Sequence, residues 1–345
     1  YRTNVKGTEN LLKVCHRLKV PSFHHVSTAY VGPHRDSGVV FEGPISDPAA
    51  GGNDYERSKV AAELLVTSCE HIGRATLHRP SIVIGDSQSG YTSTFHGFYS
   101  PLHIGWQYAK HFGFSQEAGE WFRGQLGLSP DDQKNLVTVD WIVECIARTI
   151  ELDQMGGWTQ ANLNPVGTIR IPRVLHWTHP VPVACRTLQA AIVDAIENAC
   201  HHGKEQSGTH PFPSQQATKV TITKYLTQDT ELSVPAHVPS ADEFREQMQS
   251  YESYFQSDPK FDTTQSQSVS IGIRCPIVDY QLLRRLANWA IAAKFGWPKP
   301  GLPPLPHREL VSRLQGLPMH RDGLATTVVR LYLLGPGAPE TLSFG

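Results

Sequence analysis

Tyr55 and Lys59 are the two residues whose types and spacing best suit catalysis in this chain. They stand four positions apart at the start of an apolar helical pattern, so the phenol and the ammonium lie on one face of the predicted helix. A free tyrosine titrates near ~10, and a cation beside it favours the phenolate and brings its pKa toward neutrality. The pair predicts a tyrosine that exchanges a proton with a ligand, although the same spacing also occurs on ordinary exposed helix turns.

Polar residues at two predicted strand ends flank this helix. Residues 22–31 have the pattern of a short strand that ends in the hydroxyls of Ser27 and Thr28. Residues 74–85 predict a second strand, which contains Pro80 and runs into a Gly-Asp-Ser turn. Ligands of open α/β sheets lie outside the carboxyl ends of parallel strands, so the order strand, helix, strand brings these groups to one crevice.

Composition and charge indicate an ordinary soluble enzyme. The 345 residues are 39% hydrophobic and 18% charged, which allows a large core and two lobes. With 31 basic and 32 acidic residues, charge gives no support for a nucleic-acid partner or an anionic membrane surface. No apolar run reaches the ~18 residues of a membrane span. The six cysteines include no Cys-x2-Cys pair, so we expect reduced thiols and a cytoplasmic location.

A metal site is not predicted, despite the 17 histidines of the chain. The most suggestive pairs are His176 with His179 and His201 with His202. Neither pair has a cysteine or carboxylate partner at zinc-site spacing.

Further elements are predicted from hydrophobic periodicity. A helix should cover about residues 55–71, with Val60, Ala61, Leu64, Leu65 and Cys69 on its buried side. Residues 135–152 read as a short buried segment that enters a helix, with Asp140 as its N-cap. A strand at 159–164 and helices at 185–200, 241–255 and 279–295 follow the same kind of pattern.

Five ordered motifs resemble those of the extended short-chain dehydrogenase/reductases, and within them the thioester and fatty acyl reductase branch, whose NAD-binding domain is of the male-sterility type. The motifs are the stretches 4–12, 25–31, 55–59, 79–87 and 135–143, and the resemblance runs from residue 1 to about 165. It implies an α/β fold, the C-terminal portion of a Rossmann-like doubly wound parallel sheet, followed by a mostly helical substrate lobe.

This resemblance suggests three parts. Residues 1–165 would form a partial NAD(P)-binding Rossmann-like domain with a substrate-side insertion at about 86–135, residues 166–310 a helical substrate-binding lobe, and residues 311–345 a tail. No G-x-G-x-x-G turn that could seat a pyrophosphate occurs in the sequence. We therefore expect the first strands, on the order of 60–100 residues, to be missing, and the chain alone to be inactive.

The resemblance also assigns catalytic roles. Tyr55 would protonate a carbonyl oxygen, and Lys59 would hold the nicotinamide ribose and lower the pKa of the tyrosine. Thr28, or Ser27 beside it, would donate a hydrogen bond to the carbonyl oxygen; the sequence does not decide between them. Asn4 matches the family's helix asparagine, which helps to hold a water relay behind the lysine, although it could equally be a surface amide.

The implied cofactor is NADP or NAD. Pro80, Ser81 and Ile82 would pack beside the nicotinamide, as the matching stretch does in the family, with Tyr55 and Lys59 at its ribose. The residue that reads the ribose 2′ position would lie in the missing part, so the sequence does not choose between the two cofactors.

The implied activity is that of an NAD(P)-dependent oxidoreductase, and we expect it to reduce an acyl thioester of coenzyme A or a carrier protein to an aldehyde or alcohol. Gln88-Ser89 stands where acyl reductases more commonly have Arg-Thr, which leaves two alternatives open. One is a sterol, flavonoid or nucleotide-sugar dehydrogenase or epimerase of the same superfamily. The other is a non-catalytic relative that binds a dinucleotide, and the complete Tyr, Lys and hydroxyl set argues against it.

Overall fold

The fold is given by a computed structural model that describes residues 1–31, 38–45, 47–49, 51–112, 129–156, 172–206 and 257–295. Helices and strands are interspersed along this part of the chain, and its largest sheet is parallel. The protein therefore has the α/β fold that the sequence predicts.

The described elements have the following bounds in chain order. The helices are a π-helix Arg2–Lys6, α1 Gly7–Arg17, a 3-10 helix Ala29–Val31, α2 Asp54–Thr67, α3 Tyr99–Phe112, α4 Val139–Gln154, α5 Cys185–Gln206, α6 Thr264–Val269 and α7 Tyr280–Ala292. The strands are β1 Ser22–Val26, β2 Val39–Val40, β3 Arg74–Pro80, β4 Ile82–Ile84, β5 Gln133–Lys134, β6 Leu136–Thr138, β7 Arg173–Trp177, β8 Val183–Ala184 and β9 Lys260–Phe261.

The main sheet consists of β1, β3 and β7, with β3 in the centre. Both pairings are parallel, so the carboxyl ends of the three strands meet at one edge. In this register His25 lies opposite Leu77, and Arg79 lies opposite His176. Strand β7 was not predicted from the sequence. Because it pairs with β3, residues after 165 also belong to the sheet.

Helices cover both faces of this sheet, which explains the nearly continuous burial of its central strand. On one face α1 and α2 pack over the sheet in a core formed by Leu12, Cys15, Val20, Phe23, Val66, Ile72, Leu77 and Val174. On the other face α4 packs through Trp141, Ile142 and Cys145 against Leu175 and Trp177. Each fully buried Leu or Phe of these cores contributes about 1.5–3 kcal/mol.

A second helical core lies beyond the sheet. Helices α3, α5 and α7 pack together through small and aliphatic side chains, among them Leu102, Ala191, Ala195, Leu283 and Leu286. The predicted helices at 185–200 and 279–295 are thus confirmed as α5 and α7. The predicted strand at 159–164, the predicted helix at 241–255 and the tail at 311–345 lie outside the described residues.

Two sequence predictions were wrong in detail. The strand predicted at 22–31 ends at Val26, because residues 29–31 turn into a 3-10 helix. The predicted helix 55–71 spans Asp54–Thr67 and buries Glu56 and Glu63 in addition to apolar residues, so hydrophobic periodicity did not find its buried face.

The helices that the structure describes include none that combines the length and apolar character needed to cross a membrane.

Candidate active site

The start of helix α2 is fixed by a reciprocal cap. The Asn53 side chain accepts a hydrogen bond from Glu56 N at 2.9 Å, while the Glu56 carboxylate accepts from Asn53 Nδ2 at 2.9 Å and from Gly52 N at 2.7 Å. Gly51 has φ +111°, and a Cβ there would lie 2.8 Å from Arg57 N, so only glycine fits. This cap determines where the first turn of α2, which carries Tyr55, begins.

Lys59 lies at the carboxyl edge of the sheet, as the sequence predicts. Its Nζ donates a hydrogen bond to the carbonyl oxygen of Val26, the last residue of β1, at 3.0 Å. The same Nζ is 5.8 Å from the centre of the Tyr55 ring. Burial lowers the pKa of Lys59, and the Glu63 carboxylate opposes this shift.

Tyr55 points away from the core and has 48% of its surface exposed. Partial burial, and next the neighbouring Glu56 carboxylate, raise the pKa of its phenol. The expectation that Lys59 lowers this pKa is therefore not met, because the ammonium bonds to Val26 O and not to the phenol oxygen. A phenol with a raised pKa stays protonated at neutral pH and is a weaker acid than a free tyrosine, so it can give its proton only to a strongly basic oxygen such as an alkoxide.

The two candidate hydroxyls have different surroundings. Both residues are buried, Ser27 at 3% and Thr28 at 6% exposure. Ser27 N donates to His78 O at 2.7 Å and so continues the ladder between β1 and β3, while Ser27 Oγ has no hydrogen-bond partner among the described residues. Thr28 Oγ1 accepts a long hydrogen bond from Tyr30 N, at 3.4 Å, where the 3-10 helix begins.

Asn4 contacts the turn of α2 that carries the candidate acid. Its Nδ2 donates to Ser58 Oγ at 2.9 Å, and Ser58 Oγ donates to Tyr55 O at 2.6 Å. Asn4 lies in the π-helix, a rare element that often marks a functional site, and its carbonyl accepts from Thr8 Oγ1 at 2.6 Å. The sequence motif thus places Asn4 directly behind the Tyr55 and Lys59 helix.

Pro80, Ser81 and Ile82 lie where the sheet divides. Pro80 is the last residue of β3 and pairs with Trp177. The next amide, Ser81 N, donates to Trp177 O at 3.1 Å, whereas Ile82 N donates to Asn135 O at 3.2 Å. Strand β4 then pairs with β6 and no longer with β7, so the strand predicted at 74–85 is two strands. The split leaves Ser81 at the carboxyl end of β3, 5% exposed.

An ion pair that the sequence patterns did not predict holds α2 on the sheet. Arg79 Nε and Nη2 donate to the two carboxylate oxygens of Glu63 at 2.9 and 2.7 Å, and Arg79 Nη1 donates to Gly43 O at 3.0 Å. The two side chains are only 3% and 1% exposed. The available signal was the position of Glu63 four residues after Lys59, on the same helix face.

The prediction that Asp140 is the N-cap of its helix was wrong. The N-cap residue is Thr138. Asp140 lies in the first turn of α4, and its carboxylate accepts hydrogen bonds from Ser87 N at 3.0 Å and Ser87 Oγ at 2.6 Å. On its other side, Ser87 O accepts from Arg285 Nη1 of α7 at 2.5 Å. These contacts fix the Gly-Asp-Ser turn beside the sheet edge.

His176 and His179, one of the two histidine pairs weighed as metal ligands, contact backbone carbonyls. His176 Nδ1 lies 2.8 Å from Asp262 O, and His179 Nε2 lies 3.0 Å from Pro276 O. The described segments contain no cluster of three or more His, Cys, Asp or Glu side chains that could hold a metal ion.

Comparison with protein families gives a match over the segment that carries these residues. Residues 1–146 match the family model described as male sterility protein, an NAD-binding family. No curated protein matches the chain in sequence.

Among solved structures, the terminal R domain from the myxalamid PKS-NRPS biosynthetic pathway is 18% identical and has a TM-score of 0.53. The match covers 86% of this chain and 64% of that domain, so the chain spans less than two thirds of it. A thiolation-reductase di-domain from an archaeal non-ribosomal peptide synthetase is 14% identical and has a TM-score of 0.48. That match covers 85% of this chain and 53% of the di-domain. The dTDP-glucose 4,6-dehydratase DesIV from Streptomyces venezuelae is 16% identical, with a TM-score of 0.45 and coverages of 86% and 68%. Of these three, the R domain supports a shared fold.

Proposed function

We propose that the protein is an NAD(P)-dependent reductase of acyl thioesters, because residues 1–146 match the family model described as male sterility protein. The observation that carries the proposal is the 3.0 Å contact from Lys59 Nζ to Val26 O. It brings the helix with Tyr55 and Lys59 to the strand end that is followed by Ser27 and Thr28, so a proton donor, a cation and a hydroxyl lie at one sheet edge.

The residues at this edge fit a nicotinamide cofactor. Ser81 Oγ is buried and has no hydrogen-bond partner among the described residues, and an unsatisfied buried hydroxyl costs about 1–3 kcal/mol. A ligand rich in hydroxyl and amide groups would supply the missing partner. Pro80, Ser81 and Ile82 would lie beside the nicotinamide, with Tyr55 and Lys59 at its ribose. When bound in reduced form, NAD or NADP supplies a hydride to the carbonyl carbon of the substrate.

Thr28 is the better candidate for the hydroxyl that binds the substrate oxygen. Strand residues alternate between faces, so Ser27 shares the face of Phe23 and His25, which lies beneath α1 and α2. Thr28 follows the strand end, and its oxygen accepts a long hydrogen bond of 3.4 Å from Tyr30 N in the part of the chain that the structure describes. Its O–H can donate to a carbonyl oxygen and stabilise the negative charge that develops there.

Tyr55 then completes the reduction as the proton donor. A new C–H bond forms at the thioester carbon, and the O–H bond of Tyr55 breaks as its proton passes to the carbonyl oxygen. The resulting hemithioacetal loses its C–S bond, which gives an aldehyde and a free thiol.

The proposal is tested on a full-length version of the protein, which is offered a long-chain acyl-CoA, an acyl carrier protein, a sterol and a UDP-sugar, each with NADH and with NADPH. We expect loss of nicotinamide absorbance with the acyl thioesters and release of free thiol in equal amount. Activity confined to the sterol or the sugar would assign the same catalytic residues to a different dehydrogenase. Turnover that persists in Tyr55→Phe would overturn the site itself.

A further inference from the structure

Asp258 is a buried carboxylate that joins two chain segments beside the candidate site. Its side chain is 6% exposed. Asp258 Oδ2 accepts hydrogen bonds from the Tyr30 phenol and from Asn135 N, both at 2.7 Å, and Oδ1 accepts from Lys134 Nζ at 3.0 Å. An ionised carboxylate only accepts hydrogen bonds, and these three neighbours are all donors. The contacts therefore fix the carboxylate in the interior.

One of these contacts holds the short helix that follows Thr28. Tyr30 lies in the 3-10 helix Ala29–Val31 and is 5% exposed. Its ring packs edge-on against Phe261, with the ring centres 5.8 Å apart. Its phenol reaches Asp258 across 228 positions of the chain. Tyr30 is thus held both at its ring and at its hydroxyl.

The backbone of Tyr30 in turn contacts the candidate hydroxyl. Tyr30 N donates to Thr28 Oγ1 at 3.4 Å. A hydroxyl has one O–H donor and two acceptor lone pairs, and the amide uses one of these lone pairs. Because an O–H does not point at another donor, the amide directs the Thr28 proton away from the 3-10 helix. The Thr28 hydroxyl is left oriented as a donor.

The other side of Asp258 contacts the chain that flanks Ile82. Asn135 N donates to the carboxylate, and Asn135 O accepts from Ile82 N at 3.2 Å. Two hydrogen bonds with the backbone of His179, at 2.9 and 2.7 Å, hold the Asn135 side chain as well. One carboxylate therefore links the segment that carries Thr28 to the segment proposed to pack beside the nicotinamide.

We propose that Asp258 is a positioning residue for Thr28: it holds Tyr30 so that the Tyr30 amide orients the Thr28 hydroxyl toward the substrate oxygen. This inference rests on the proposed function, in which Thr28 donates to that oxygen. The effect of Asp258 passes through Tyr30, without a contact to the substrate. Misplacing a reacting group by about 1 Å can lower a rate about 10²-fold, so loss of the tether should reduce turnover.

The first test is a double-mutant cycle on a full-length version of the protein. Tyr30→Phe removes only the phenol oxygen and keeps both the ring beside Phe261 and the Lys134–Asp258 pair. With whichever of the four offered substrates the protein reduces, we expect kcat to fall about tenfold or more. In the Thr28→Val background the same change should lower kcat less than about twofold, because the effect acts through the Thr28 hydroxyl.

Tyr280→Phe is the matched control. It also removes a phenol that donates to a carboxylate, that of Asp194, and this contact joins α7 to α5 in the second helical core. We expect a similar loss of Tm and an unchanged kcat. The comparison separates the positioning effect from a general loss of stability.

A second measurement needs neither substrate nor cofactor. Hydrogen exchange followed by mass spectrometry reports the protection of the backbone amides of residues 27–31. In Asp258→Asn, which leaves the sequence of that segment unchanged, we expect exchange there to be about tenfold faster or more, and in the control Asp194→Asn we expect no change. If Asp258→Asn does not fold, Tyr30→Phe and Tyr280→Phe give the same comparison with both carboxylates retained.

Three results would overturn the proposal. They are an unchanged kcat in Tyr30→Phe, an equal loss of kcat from Tyr30→Phe with and without the Thr28 hydroxyl, and unchanged exchange in residues 27–31. Failure of every offered substrate, together with faster exchange in residues 27–31, would reject the proposed function and keep the role of Asp258 in fixing the Thr28 segment.

Discussion

The Glu63 carboxylate and the Arg79 guanidinium form a buried ion pair with two N–O contacts, of 2.9 and 2.7 Å. Glu63 lies one helical turn after Lys59 on α2. Helix α2 is thus attached to the sheet twice, through Lys59 to the end of β1 and through Glu63 to β3. Two attachments on one helix face leave little freedom for the helix to slide or rotate. The position of Tyr55 is fixed by contacts to which its own side chain does not contribute.

Breaking this pair from one side should destabilise the protein strongly. Glu63→Leu leaves the Arg79 guanidinium buried without its partner, and such a loss typically costs about 3–5 kcal/mol. Urea unfolding followed by circular dichroism measures the change. Arg57→Ala is the control, because the Arg57–Asp54 pair is exposed at 45% and 92%, and exposed pairs contribute only about 0–1 kcal/mol. If the double variant Glu63→Leu with Arg79→Met were no more stable than Glu63→Leu alone, the unpaired charge would not be the cause of the loss.

The phenol of Tyr55 should be needed for turnover and not for binding. In Tyr55→Phe of a full-length version of the protein we expect kcat to fall by about 10²–10⁴, while cofactor affinity changes no more than a few-fold. Steady-state kinetics and calorimetric titration with NADH and NADPH separate the two effects. A variant that retains most of its kcat would show that another group supplies the proton.

The two neighbouring hydroxyls should differ in their effect on catalysis. Thr28→Val should lower kcat by about 10²–10³, because it removes a donor to the developing negative charge. Ser27→Ala should lower kcat much less, because that hydroxyl lies on the face beneath α1 and α2. Both substitutions remove one hydroxyl at adjacent positions, so each is the control of the other. The reverse order of effects would move the substrate oxygen to Ser27.

Stability should fall as the solution becomes acidic below about pH 6.5. Burial is the first cause that lowers the pKa of four histidines, to about 3 for His25, to about 4 for His103 and His176, and well below the usual value for His78. The unfolded chain therefore binds protons near pH 6.5 that the folded chain does not bind, and each such group costs up to about 1.4 kcal/mol per pH unit.

Urea unfolding at pH 7.5, 6.5, 5.5 and 4.5 tests this dependence. The free energy of unfolding should be nearly constant above pH 6.5 and should decrease progressively down to pH 4.5. His103→Phe should make the decrease less steep, because it removes one of the four groups. An unfolding free energy that stays flat from pH 7.5 to 4.5 would contradict the burial of these rings in their neutral form.

The sequence was informative where local patterns and motifs carry the information. The helix that starts near Tyr55 was predicted to meet the end of the strand before Ser27, and the contact of Lys59 Nζ with Val26 O lies there, because parallel-strand geometry determines which strand ends share an edge. Helix α7 was found from its apolar stripe.

The rest depends on contacts between distant segments. Hydrophobic periodicity treats Glu63 as a solvated residue, and only the three-dimensional structure shows that Arg79 neutralises it. Asp140 was taken for an N-cap because its type and position suit one, whereas its partner is Ser87, 53 residues earlier. The predicted strand is divided at Ser81 because β3 pairs with β7 whereas β4 pairs with β6. The positions of β6 and β7 cannot be predicted from residues 74–85 alone.

The turn at Ser87 has a consequence for the order in which the protein forms. Its carbonyl is held by Arg285, which lies 198 positions further along the chain. Contacts between residues so far apart form slowly, because the chain must lose much conformational freedom before they stabilise it. During synthesis the segment with Tyr55 and Lys59 leaves the ribosome well before α7 exists. The turn at Ser87 can therefore take its final shape only after α7 has been made, and until then the apolar surface that α7 covers favours aggregation.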